Sequence, residues 1–152
     1  YDAIWIPGGE PDVLAAIIDD PKRVFLDFLV KQAGRARMMC SVCDGAMLLA
    51  AAGLLDGYEA TAHWEFLNCF PERFPKVKLA PGNPRFVHDR NRLTGGGVSS
   101  GLDTALKLIE LLSGRALAET VQLHTQYYPD PPVSSVIPPS PACPLPTARA
   151  KP

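Results

Sequence analysis

A short strand that turns sharply into a helix is the sequence feature that most constrains the fold. One apolar run ends at Val42, and a second, longer run begins at Gly45 and extends to about Leu55. The first run has the length of a buried strand, and the second has the length of a helix. Cys43 is therefore predicted at the corner between them, where N–H groups without intrahelical partners open the helix.

The residues around Cys43 are typical of a nucleophile elbow. Ser41 and Gly45 are small, as a sharp strand-to-helix turn requires, and the pattern matches G-x-S-x-G with cysteine in place of serine. Because a helix N-terminus favours negative charge, we expect Cys43 to have a depressed pKa and to be a thiolate near neutral pH. A cysteine in apolar surroundings is more often a core residue, but the corner position favours a nucleophile or a redox sensor.

Strands and helices alternate along the chain, which predicts an α/β domain with a mainly parallel sheet. We assign this domain to residues 1–128. Besides the elbow, strands are predicted at residues 1–6, 58–62, 77–79 and 85–89. Helices are predicted at residues 13–18, 65–74 and 116–127, with two more that begin at an Asp20–Pro21 cap and at a Ser100–Asp103 capping box. Prolines crowd residues 129–152, which predicts a tail that is extended, draped over the surface or disordered.

Several candidate functional residues follow predicted strands. In parallel sheets, ligands gather beyond the carboxyl ends of the strands, and this places Gly8, Gly9, His63 and Gly96 at the same rim as Cys43. Glycines there let backbone N–H groups approach a ligand closely. The N–H of Asp44, with one from Gly8 or Gly9, is a candidate donor set for negative charge that develops on a substrate.

Each of these candidates also has a structural interpretation. The Gly8–Gly9 pair is equally consistent with a simple strand-to-helix turn. Asp44 either complements the helix dipole or handles a proton or water. His63 is either a base or, more often for such a residue, a hydrogen-bonded residue at the rim. Cys40, three residues before Cys43, is interpreted as a buried core cysteine rather than a redox or zinc ligand.

Composition excludes several classes of function. A net charge of −1 carries no basic excess for nucleic acid, and 47% apolar residues suit a globular domain. No apolar run is long enough to cross a membrane, and no signal peptide is visible. The four cysteines are too few and too irregularly spaced for a disulfide framework, so we expect a cytoplasmic protein with reduced cysteines.

An ordered set of motifs resembles the DJ-1/PfpI superfamily, and most closely its isocyanide hydratase branch and the related domains of AraC-type regulators. The similarity extends from Tyr1 to about Pro132. Its motifs are Ile6-Pro7-Gly8-Gly9, Ser41-Val42-Cys43-Asp44-Gly45-Ala46, Ala51-Ala52-Gly53-Leu54-Leu55-Asp56-Gly57, Ala60-Thr61-Ala62-His63-Trp64 and Asp89-Arg90-Asn91-Arg92-Leu93-Thr94-Gly95-Gly96-Gly97-Val98.

The resemblance implies a flavodoxin-like three-layer sandwich, commonly a homodimer, with Cys43 as the nucleophile. It implies addition of water to an isocyanide, through a Cys43 thioimidate, to give an N-substituted formamide. It also implies that the reaction uses no metal or organic cofactor. That branch usually has threonine after the cysteine, where this chain has Asp44. The superfamily also carries an acidic residue on an N-terminal segment that corresponds to nothing after Tyr1, so the sheet is expected to lack its N-terminal strands.

Two alternatives remain open at the level of sequence. One is a non-catalytic domain that senses a ligand or redox state through Cys43. The other is a glyoxalase-like or deglycase-like activity on α-oxoaldehydes, which formation of lactate from methylglyoxal would identify.

Overall fold

A computed structural model describes residues 1–146 of the chain. The strands are β1 (Ala3–Ile6), β2 (Met38–Ser41), β3 (Glu59–Ala60), β4 (Lys78–Leu79), β5 (Phe86–Asp89) and β6 (Arg92–Gly95). The helices are α1 (Pro11–Ile18), α2 (Val24–Ala33), α3 (Ala46–Ala51), α4 (Cys69–Arg73), α5 (Ser100–Ser113) and α6 (Arg115–Thr125). Across residues 1–146, each helix is too short or too polar to span a membrane.

The main sheet has four strands in the order β1-β2-β6-β5. β1, β2 and β6 run parallel, and β5 is antiparallel to β6. The register places Trp5 opposite Cys40 and Cys40 opposite Leu93. β3 and β4 form a separate parallel pair. The predicted α/β fold with a mainly parallel sheet is confirmed.

Alternation along β2 divides the core into two layers. Met39 faces the layer that contains α1, α2 and α3, whereas Met38 and Cys40 face the opposite side with Leu93 and the apolar face of α5. Successive side chains of a strand point to opposite faces, so a fully apolar strand must be covered by helices on both sides. The result is a three-layer sandwich, and the prediction that Cys40 is a core residue is confirmed, since it has no exposed surface.

Two predicted helix caps are wrong, although α5 begins at Ser100, where the pattern predicts a helix start. Asp20 does not cap α2; its Oδ1 accepts the N–H of Lys22 in a turn, and the helix begins only at Val24. The Ser100–Asp103 capping box does not form, because Asp103 is drawn to Arg85 of a neighbouring loop. In both cases the carboxylate binds a different partner from the one that the local sequence pattern predicts.

The proline-rich tail is draped over the body of the domain as far as residue 146. It has no regular helix or strand in residues 129–146, yet Leu145 is buried in the larger core cluster. Cys143 forms a disulfide with Cys69 of α4. The expectation that all cysteines are reduced is therefore wrong for this pair. The last six residues of the predicted tail, 147–152, lie outside the described part of the chain.

Candidate active site

The strand-to-helix corner holds Cys43 in a strained backbone conformation. Val42 is extended, whereas Cys43 has a φ of +60° and begins a short 3-10 turn (Cys43–Gly45) that leads into α3. A positive φ is uncommon for a residue with a Cβ atom and concentrates at functional sites. The Cys43 N–H donates to the Gly96 carbonyl at 2.7 Å, which fixes the corner to the end of β6.

Gly45 is required by the packing of this corner. A Cβ atom there would lie 2.5 Å from the Ile6 carbonyl oxygen and 2.6 Å from that of Pro7. The turn therefore packs directly on the backbone that follows β1, and the expectation of a small residue at this position is confirmed. The predicted sharp turn from strand to helix at Cys43 is present, although the α-helix itself begins only at Ala46.

The Asp44 carboxylate is buried beneath the loop that follows β1. Its side chain is 3% exposed, and Oδ1 accepts the Gly9 N–H at 3.0 Å. A Cβ atom on Gly8 would collide with this oxygen, so glycine at that position leaves room for the carboxylate. Gly8 and Gly9 thus cover the Asp44 carboxylate, beside Cys43.

The pKa of Cys43 is raised, which contradicts the predicted depressed value. Burial is the largest cause; the Asp44 N–H opposes it by donating to the sulfur, while the Asp44 carboxylate charge, a thiol–carboxylate hydrogen bond and the more distant Glu65 raise the pKa further. The prediction assumed a helix dipole acting on an isolated thiol. In the structure, burial and two acidic side chains outweigh the N–H donor.

The pKa of Asp44 is also raised. Burial is again the largest cause, and the Gly9 N–H and the Cys43 thiol, which both donate to the carboxylate, oppose it. The two groups form a coupled pair that shares protons, because a negative charge on either one disfavours a negative charge on the other.

His63 lies at the same rim, and its side chain is positioned by a hydrogen bond from the backbone two residues further on. Its Nδ1 accepts the Glu65 N–H at 3.4 Å, and Glu65 Oε2 lies 3.8 Å away. On the other side, Gly97 leaves space for the imidazole, since a Cβ atom there would lie 3.1 Å from His63 Cδ2. With Nδ1 accepting, Nε2 is the ring nitrogen that can carry a proton.

The structure thus brings the predicted site residues to one rim. Some of the N–H groups predicted as donors to a substrate, however, already donate to other groups of the protein. The Gly9 N–H is taken by Asp44, and the Gly96 N–H donates to the Arg85 carbonyl at 2.9 Å. Gly96 therefore anchors Cys43 through its carbonyl group. The Asp44 N–H donates to the Cys43 sulfur, so this predicted donor does lie at the thiol.

A pocket of about 160 Å³ adjoins this site. It contacts Gly96 and Gly97, and its other walls include Ala62, Trp64, Pro84, Arg85 and Ile137. A larger open groove of about 690 Å³ between α1 and α2 shares no lining residue with it. Within residues 1–146, no group of three or more His, Cys, Asp or Glu side chains is arranged to hold a metal ion.

Sequence reasoning missed three residues of the site. Glu65 was assigned to a helix, although it directly follows the His63–Trp64 pair and its charge reaches Cys43. Trp64 is named in the sequence analysis only as the last residue of the motif Ala60-Thr61-Ala62-His63-Trp64. Ile137 carried no signal, because a proline-rich segment has no periodicity that indicates which side chain faces the body.

Comparison with known proteins finds relatives that are similar to this chain in sequence. The model of the DJ-1/PfpI family matches residues 1–111. The isonitrile hydratase of Pseudomonas putida is 40% identical over 134 residues, which cover 88% of this chain and 55% of that protein. The HTH-type transcriptional regulator GbdR of Pseudomonas aeruginosa is 40% identical over 99 residues, which cover 65% of this chain and 26% of the regulator.

A solved structure of a protein from the same family is also similar to this chain. The crystal structure of a ThiJ/PfpI family protein from Pseudomonas syringae superposes with a TM-score of 0.74 at 39% identity, covering 87% of this chain and 52% of that one. The chain therefore spans about half the length of the isonitrile hydratase and of this solved relative.

Proposed function

This chain belongs to the DJ-1/PfpI family, and we propose that its site adds water to a small isocyanide to give an N-substituted formamide. The observation that carries the proposal is the pairing of Cys43, on its strained corner, with the buried Asp44 carboxylate held by the Gly9 N–H. The similarity to isonitrile hydratase supports this choice of substrate. We also propose a homodimer, as the resemblance implies.

The first half of the reaction uses Asp44 as the proton carrier. The Cys43 thiol gives its proton to the Asp44 carboxylate as the sulfur lone pair forms a bond to the terminal carbon of R–NC. Asp44 then delivers that proton to the same carbon, which gives the thioimidate R–N=CH–S–Cys43. A positioned acid–base group of this kind contributes typically about 10² to 10⁴ in rate.

The second half returns the enzyme to its starting state. Water attacks the thioimidate carbon, and one of its protons passes through Asp44 to the nitrogen. As the C=O bond forms and the C–S bond breaks, the remaining hydroxyl proton returns to the sulfur. The sum is R–NC plus water to R–NH–CHO, with Cys43 and Asp44 restored.

The roles of the other residues follow from their positions. His63 Nε2 is the candidate group to orient water or the nitrogen at the rim, since Nδ1 is held by the Glu65 N–H. Gly8 and Gly9 keep Asp44 in place, and Gly96 fixes the Cys43 backbone.

The test is formamide release from an isocyanide by the native protein, a Cys43→Ala variant and a Cys40→Ala control. Cys40 is fully buried on the opposite face of the sheet, so its variant controls for loss of a thiol without loss of the proposed nucleophile. We expect turnover in the native protein and in Cys40→Ala, and background only in Cys43→Ala. Equal turnover in the two alanine variants would overturn the proposal.

A second candidate function is a non-catalytic sensor, and the similarity to a transcriptional regulator favours it. In that case Cys43 binds a ligand or is oxidised without turnover. Mild peroxide followed by intact mass measurement distinguishes the two: a sensor takes up two oxygen atoms at Cys43 and releases no formamide from isocyanides.

A further inference from the structure

We propose that the pocket beside Cys43 binds the apolar substituent of the substrate and that Ile137, on the proline-rich tail, is a specificity-determining wall of it. This inference rests on the proposed function and adds to it the part of the substrate that is recognised. It also assigns a role to the tail and to the Cys69–Cys143 disulfide, which hold that wall in place.

The pocket and the nucleophile are joined through shared structure. Gly96, which lines the pocket, accepts the Cys43 N–H through its carbonyl. Gly97, also a lining residue, packs against the His63 imidazole, and the His63 and Trp64 ring centroids are 5.9 Å apart. In this proposal, the substituent of a substrate carbon bound to Cys43 lies against the part of the pocket that Gly96 and Gly97 line.

The chemistry of the lining favours a neutral, apolar group. Apolar surface comes from Ala62, Trp64, Pro84 and Ile137, and the polar groups beside Arg85 are the uncharged side chains of Asn83, Ser99 and Ser100. The positive charge of Arg85 is engaged by Asp103 in an ion pair. This leaves little net charge to attract an anion, and 160 Å³ is the liquid volume of about five water molecules. A short branched or cyclic hydrocarbon substituent fits this description.

The tail is held down on the far side of Ile137. The Asn68 amide donates to the carbonyls of Ser140 and Pro141, each at 2.8 Å. Beyond these bonds lie the disulfide at Cys143 and the buried Leu145. Since α6 ends at Thr125, the segment between is tethered at both ends, and Ile137 keeps half of its surface covered where its neighbour Val136 is 92% exposed.

The experiment compares alkylation of Cys43 by N-cyclohexylmaleimide and N-ethylmaleimide, in native protein and in Ile137→Ala, Val136→Ala and Cys143→Ser variants. Intact mass confirms a single adduct in the proteins that keep the disulfide, because Cys40 is buried and burial raises its pKa to about 12. Cys143→Ser frees the Cys69 thiol, so for this variant the rate is taken from peptide mapping of the Cys43 adduct alone. We expect Ile137→Ala and Cys143→Ser to lower the cyclohexyl-to-ethyl rate ratio about fourfold, the value of roughly one buried CH₂ group. Val136→Ala should leave the ratio unchanged.

An unchanged ratio in Ile137→Ala, or an equal fall in Val136→Ala, would overturn the assignment of Ile137. A ratio lowered by Ile137→Ala but not by Cys143→Ser would overturn the role of the disulfide. The same variants are then assayed with methyl and cyclohexyl isocyanide, where Ile137→Ala should raise KM for the cyclohexyl compound alone. If the maleimide ratios behave as expected but the native protein releases no formamide, the proposed reaction is wrong and the pocket assignment stands.

Discussion

At the scale of single residues, the Cys43–Asp44 pair distinguishes this site. The two groups are adjacent in sequence, and the pKa of each is raised, chiefly by burial. Each group therefore loses its proton at a higher pH than it would in water. In the proposed reaction, a proton passes between them, and a permanently ionised thiolate is not required.

This coupling predicts a bell-shaped dependence of kcat/KM on pH. The rate should rise as pH rises through the raised pKa of Asp44, because the carboxylate must be free to accept the thiol proton. It should fall as pH rises through the raised pKa of Cys43, because the pair then holds no proton to deliver. A rate that begins to rise only near the ordinary cysteine pKa would show that Asp44 does not act as the base.

Asp44→Asn should separate thiol ionisation from turnover. Loss of the carboxylate removes the charge and the hydrogen bond that raise the Cys43 pKa, so the midpoint of alkylation by iodoacetamide should move to lower pH. Formamide release should fall about a hundredfold or more, because the proton carrier is lost. An activity that increases along with the thiolate fraction would contradict the role of Asp44.

Asp44→Asn should also stabilise the fold at higher pH. A carboxyl group whose pKa is raised on folding contributes stability below its unfolded pKa, and that stability is lost as pH rises through the folded pKa. The variant should therefore melt at a higher temperature than the native protein at about pH 8, and the difference should shrink at about pH 4. Asp130→Asn, an exposed change in the tail, is the control.

At the scale of elements, the corner between β2 and α3 depends on close backbone contact. Gly45→Ala places a Cβ atom 2.5 Å from the Ile6 carbonyl oxygen, and overpacking of this kind costs about 1 to 3 kcal/mol or more. Gly34→Ala is the matched control, because its Cβ atom would meet nothing closer than 3.7 Å and its φ of −71° suits alanine. Urea unfolding of both variants checks the prediction, which fails if their free energies of unfolding are equal.

Elements whose signal is local were predictable from the sequence. The apolar run before Val42, the Gly8–Gly9 turn and the corner at Cys43 all appear where the pattern places them. What the sequence did not reveal depends on contacts between distant segments. Asp103 could form a cap or bind Arg85, and only the approach of the loop that carries Arg85 selects the ion pair. The pKa of Cys43 likewise depends on how deeply the loop after β1 covers it.

At the scale of the whole molecule, the tail is part of the folded structure as far as residue 146. The Cys69–Cys143 disulfide closes a long loop and ties the tail to α4, while Leu145 contributes to the core. We expect Cys143→Ser to lower the free energy of unfolding by about 2 to 5 kcal/mol, a typical value for a native disulfide. Elastase digestion, for which Val133 and Val136 are candidate cleavage sites, should also cut the tail faster in the variant and in reduced native protein. Equal stability and equal digestion would show that the tail is held by other contacts.

The proposed reaction depends on a covalent step at Cys43, which mass spectrometry of the reacting protein can detect. Native protein is mixed with a stoichiometric isocyanide, quenched at successive times and analysed by intact mass, while formamide is measured in the same samples. We expect an adduct with the mass of the isocyanide, located on Cys43, that forms first and decays at the rate at which formamide appears. Formamide that appears at the same rate in a Cys43→Ala variant, without such an adduct, would contradict it.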